Sequence, residues 1–137
     1  MTLLETVEHY LATAREAVAA AERNLAARAY RSAVHEAYYA AFYAATAALA
    51  TRELHYKRHA ALVANFNRLF VYEEKSFDAE TAGRLQRLLD ARLHFDYEPI
   101  PAEENAAEAA LAAARAFVDE VLPYVDAWLK TAGDKEP

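Results

Sequence analysis

The chain has 137 residues, with 15 Lys and Arg against 21 Asp and Glu, a net charge of −6 and no cysteine. Such a length makes one domain that buries about two thirds of its unfolded surface, and the lack of thiols excludes disulfides, thiolate metal sites and a cysteine nucleophile. With 2 glycines, 4 prolines and alanine as about a quarter of the residues, strand and hairpin chemistry is missing, so an all-α fold is expected.

Leu4, Val7, Leu11, Ala14, Val18, Ala21 and Leu25 recur three and four apart, which predicts a first helix from about Leu3 to Ala27. A second helix is expected from about Ala29 to Thr51, with Ala33, Ala37, Ala41, Ala44 and Ala48 on one flank. That flank lets a neighbouring helix approach closely, and Tyr39, Phe42, Thr46 and Leu49 form a bulkier stripe beside it. A polar connection, Thr51 to Lys57, leads into a third helix from about Arg58 to Phe70, and Val71 to Phe77 reads as a loop.

Asp78 is a good N-cap for a fourth helix carrying Leu85, Leu88, Leu89 and Phe95, and Glu80 in its first turn suits the helix dipole. Pro99 and Pro101 break the chain, and Pro101 is expected to start the fifth helix. Ala107, Leu111, Ala114, Phe117, Val118 and Val121 form its apolar stripe, and Pro123 is expected to kink or end it. A short extension with Trp128 and Leu129 then gives way to a polar tail at about 131–137. Short links favour antiparallel neighbours, so the expectation is one domain over 1–137, an up-and-down bundle of four to five antiparallel helices.

No run of about 18 uncharged apolar residues is present, and the N-terminus lacks the basic and apolar segments of a signal peptide, so a cytoplasmic protein with no membrane contact is expected. The negative charge is unevenly spread. Between Arg23 and Arg68 stand seven basic residues against only Glu36 and Glu53, a local excess of +5. Such asymmetry can build a positive surface on an acidic protein, although a set of ordinary solvated helix faces is the favoured reading.

Chemistry is expected in the phrase Arg92-Leu93-His94-Phe95-Asp96-Tyr97. Arg92 and Asp96 are one helical turn apart and can pair, and the Tyr97 hydroxyl can come to the same edge. Arg92, Asp96 and Tyr97 are therefore the candidate catalytic residues, and a helix-ending salt bridge is the structural alternative. Tyr38, Tyr39, Phe42 and Tyr43 read first as packing and second as a surface on which bases stack. Tyr39, Tyr43, Lys57 and His59 are the candidate nucleotide- or RNA-binding residues. His9, His35 and His55 show no metal-ligand spacing, so neither a metal nor a cofactor is expected.

The patches Tyr30-Arg31-Ser32-Ala33, Ala37-Tyr38-Tyr39-Ala40-Ala41-Phe42-Tyr43-Ala44-Ala45, Lys57-Arg58-His59 and Arg92-x-x-x-Asp96-Tyr97 lie in an order and spacing that resembles a HEPN domain. The resemblance runs from about Ala21 to Val121 and is to the prokaryotic branch often found beside a minimal nucleotidyltransferase. It implies a helical bundle similar to nucleotidyltransferase substrate-binding domains, and a homodimer. Ribonuclease members carry an Arg followed after four to six residues by a His, and cleave RNA without a metal at the dimer cleft. Here Arg92 stands in the first place and Tyr97 in the earliest position for the His.

The resemblance therefore implies a toxin-type or RNA-acting component of a HEPN and nucleotidyltransferase pair, with metal-independent ribonuclease activity weakened by Tyr97. Two alternatives stay open beside it. One is a non-catalytic nucleotide- or RNA-binding module that supports a partner nucleotidyltransferase, and the other is a structural helical dimer.

Overall fold

The computed structural model describes residues 1–135, with side chains through Ala132. Five α-helices make the bundle: α1 (Leu3–Ala26), α2 (Tyr30–Ala50), α3 (His59–Phe66), α4 (Ala79–Tyr97) and α5 (Glu104–Lys135). No strand occurs among the described residues, and no helix there is long and apolar enough to cross a membrane.

The helix ends follow local chemistry. The Thr2 side chain accepts from the Glu5 amide at 3.1 Å and caps α1. The Asp78 carboxylate accepts from both the amide and the hydroxyl of Thr81 and caps α4. α1 closes with Ala29 N–H on the Asn24 carbonyl and Arg28 N–H on that of Leu25. α2 closes in the same pattern, with Leu54 on Leu49 and Glu53 on Ala50. These are Schellman closures, which need a left-handed residue. Arg28 (φ 60°) and Glu53 (φ 57°) supply it, as Lys75 (φ 58°) does in the turn before α4, and glycine supplies none of the three.

α2 is the central helix and packs against α1, α3, α4 and α5. Its alanine flank explains how. Ala33, Ala37, Ala41, Ala44 and Ala48 are all fully buried, so neighbouring backbones close in on a surface without bulk. The three residues linking α1 to α2 leave those packed helices no arrangement but antiparallel.

Three expectations need correction. The third helix does not stop for a loop at Val71, because its chain continues as a π-helix over Asn67–Glu73. The wider winding buries both Phe70 and Val71, and Phe70 joins an aromatic cluster with Phe66, Phe77 and Tyr124. Of the two outcomes expected at Pro123, a kink or an end, the helix does not end there. Pro123 sits exposed within α5, while Val121, Leu122 and Val125 around it are buried, and that burial outweighs the missing backbone donor. α5 starts at Glu104, three residues after Pro101, and runs through the expected polar tail to Lys135; residues 136–137 lie outside the described residues.

Candidate functional site

Three helices meet at His59, the first residue of α3. The Tyr38 hydroxyl of α2 lies 2.9 Å from its Nδ1, and so does Nη1 of Arg92 from α4. A guanidinium can only donate, so Nδ1 is an acceptor here and the ring proton belongs on Nε2. Burial first, then Arg92, then His35 pull the His59 pKa below the ordinary imidazole value, so the ring is neutral near pH 7. Burial pushes the Tyr38 phenol well above its usual range, which keeps it protonated and a donor to the same nitrogen.

Arg92 is braced by aromatic rings and a carboxylate but keeps some exposure. Its guanidinium carbon stands 5.3 Å from the Tyr38 ring centre and 5.4 Å from that of Tyr39. Its side chain is 18 % exposed and that of Asp96 26 %, and Nε lies 3.2 Å from Asp96 Oδ2. The approach is an ion pair and not an aligned hydrogen bond, because that buried Nε–H has no hydrogen-bond partner. The other Asp96 oxygen faces His35 Nδ1 at 3.6 Å. A carboxylate in the last turn of a helix opposes the dipole, so Asp96 is poorly placed for α4 alone. Its position makes sense as a bridge between Arg92 and His35.

Two shallow cavities flank this cluster. One, of about 240 Å³, is lined by Arg31, Ser32, His35, Glu36 and Asp96. The other, of about 350 Å³, is lined by Tyr10, Phe42, Tyr43, Tyr56 and Lys57 among others. The Phe42 ring, 4.5 Å from that of His59, belongs to the second cavity and to the His59 cluster alike.

Arg92, Asp96, Tyr39 and His59 thus come together. Tyr43 and Lys57 line the second cavity, one ring removed from the cluster. Tyr97 stands apart. It is 79 % exposed, and its hydroxyl has no hydrogen bond among the described residues. Sequence reasoning missed Tyr38 and His35 as members of the site. His35 and Tyr39 one turn apart on α2 were a usable signal, and their rings do pair at 5.0 Å. Tyr38 reads from the sequence as packing, and it is fully buried, but nothing in the sequence points its hydroxyl at His59.

The basic stretch is partly spent internally. Arg52 holds the Glu74 carboxylate with both guanidinium nitrogens and also donates to Tyr124, and Arg68 holds Glu73. Lys57 and Arg58 remain exposed next to His59.

A small all-helical domain with an arginine and two histidines gathered over an aromatic floor is the class of protein defined so far. The chain belongs to the HEPN family, whose domain model, described as "HEPN domain", matches residues 7–124. It is 33% identical over 118 residues to a Methanocaldococcus jannaschii protein named "Putative toxin MJ0605", covering 85% of this chain and 87% of that one. It is 31% identical over 121 residues to a "UPF0332 protein" of Thermotoga maritima, covering 88% of this chain and 91% of that protein.

Proposed function

We propose that this chain is the toxin-type, RNA-acting component of a HEPN and nucleotidyltransferase pair, with Arg92 at the centre of a metal-independent ribonucleolytic site. One observation carries the reading: Arg92, which no histidine follows at the family's spacing, is met in space by His59 from α3. The toxin name of the Methanocaldococcus jannaschii relative supports it.

The chemistry asks for three things. A guanidinium must face the charge that grows on phosphorus, and Arg92, braced by Asp96 and the tyrosine faces, meets that need. A base must take the ribose 2′-hydroxyl proton. His35 suits this, because a carboxylate beside Nδ1 draws the ring proton to that nitrogen and leaves Nε2 free to accept. A neutral donor for phosphate oxygen is the third, and His59 Nε2–H serves. Attack of the 2′-oxygen on phosphorus breaks the bond to the 5′-oxygen, which takes up the proton that His35 accepted, directly or through water, and the products are a 2′,3′-cyclic phosphate and a 5′-hydroxyl end. Tyr97, exposed beside this cluster in sequence, is the residue offered to a partner nucleotidyltransferase for modification.

A homodimer completes the reading. Tyr39, Phe42 and Tyr43 remain only half-buried along α2, and Leu93, Tyr97 and Ile100 are exposed near the end of α4. A second copy seated on the exposed end of α4 would place two Arg92 sites at one cleft and leave Phe42 and Tyr43 open. Micromolar sedimentation showing a monomer would remove this part of the proposal.

The decisive assay is cleavage of single-stranded RNA in excess EDTA by the wild type, Arg92→Lys and His35→Ala. Cyclic-phosphate ends should form with the wild type and fall about 10²-fold in either variant, since Lys keeps the charge without the two-pronged geometry. A second reading, a non-catalytic RNA- or nucleotide-binding module, is favoured by the low exposure of the Arg92 side chain, 18 %, which limits approach of a scissile phosphate. RNA bound in an Arg92-dependent way but never cut would establish it over the first. Co-expression with a neighbouring nucleotidyltransferase, read by gel filtration and mass spectrometry of Tyr97, tests the partner.

A further inference from the structure

The cavity on the far side of Phe42 has features that phosphate chemistry at Arg92 does not use. Tyr10, from α1, and Tyr43, from α2, present nearly parallel rings, 16° apart in plane with centres separated by 6.2 Å, and both line it. That separation is at the long end for stacked rings, so the pair is loose rather than closed. Tyr56 and Leu54 come from the α2–α3 connection, and exposed Lys57 stands at the rim. The volume of about 350 Å³ is ample for a planar heterocycle. An open cavity of this size, lined by aromatic rings with a cation among its lining residues, has the form of a small-molecule site.

We propose that this cavity is a nucleobase site, in which one unpaired base stacks on Tyr10 and Tyr43 while Lys57 meets the phosphate attached to it. The assignment rests on the RNA-acting reading for the class of ligand, and adds where the strand is gripped. Because Phe42 lies against both this cavity and the His59 ring, a base seated here leaves the neighbouring backbone near Arg92. Aromatic stacking tolerates any base, so the site would set the strand's position more than its sequence.

The test uses 2-aminopurine riboside 5′-monophosphate, whose fluorescence is quenched when its base stacks. The wild type should bind and quench it. Tyr10→Ala and Tyr43→Ala should each weaken binding about tenfold or more, while Tyr10→Phe keeps the ring and the affinity. Lys57→Glu, on an exposed side chain that leaves the fold alone, should weaken the monophosphate but not the unphosphorylated riboside. Circular dichroism checks that each variant is folded. This pattern supports the site whether or not RNA is cleaved, and it should survive Arg92→Ala. Equal quenching by folded Tyr10→Ala and Tyr43→Ala overturns it, even if Arg92-dependent cleavage is found. Failure of the wild type to bind the probe, or entry of an apolar dye that the nucleotide cannot displace, also overturns it.

Discussion

His59 joins the site's geometry to a pH dependence whose direction is fixed. Its pKa in the folded chain is depressed, by burial foremost and by Arg92 and His35 after that. The unfolded chain therefore binds the additional proton as pH falls past the ordinary imidazole value of about 6.5. Stability contributed by the neutral ring is complete above that value and is lost as pH drops from it through the lowered one. Melting temperatures taken from about pH 7.5 down to 5 should decline in the wild type and decline less in His59→Gln. Tyr38→Phe removes a buried hydroxyl that serves this ring and should lower stability by about 1 kcal/mol in denaturant titrations. Tyr97→Phe, at an exposed position, should change it by less than about 0.5 kcal/mol. The contrast also shows what a sequence can reveal of such a site. Arg92 and Asp96 were legible because helical spacing alone makes them neighbours. His59 and Tyr38 lie 33 and 54 positions before Arg92, and only the tertiary packing of α2, α3 and α4 brings them to it.

Among the elements, α5 carries the clearest energetic penalty. Pro123 leaves the Asp119 carbonyl without its usual helical partner, yet Glu104–Lys135 persists as a helix. Pro123→Ala restores that donor and should stabilise the protein by about 1–2 kcal/mol, the propensity gain less the entropy returned to the unfolded chain. A thermal melt would show it, and an unchanged or lower midpoint would mean that the proline is needed where it is. The extents of α1, α2 and α4 could be read from their apolar stripes and from Asp78, since those signals are local. Pro123 and the π-helical turn could not be read that way. In both places buried neighbours, Val121 and Val125 or Phe70 and Val71, override what the backbone prefers.

At the scale of the molecule, the bundle is organised around α2, whose alanines fix the distance to every helix around it. Ala44 is fully buried, so Ala44→Leu adds volume where none is free and should destabilise by about 1–3 kcal/mol. Chemical denaturation measures this directly. The wider prediction is that helix spacing and site geometry change together, because α2 supplies Tyr38, Tyr39 and His35 from one face while the alanines set the other. Folded Ala44→Leu should accordingly bind RNA or nucleotide less well although its substitution is remote from Arg92.

The left-handed turns at Arg28, Glu53 and Lys75 bear on how heat-tolerant this protein can be made. Each keeps a side chain where glycine would sit without strain, so each holds back up to about 1 kcal/mol of stability. All three are exposed and outside the residues assigned to RNA. Glycine at these positions offers thermal headroom that can be claimed by engineering while the core and the cleft are left untouched.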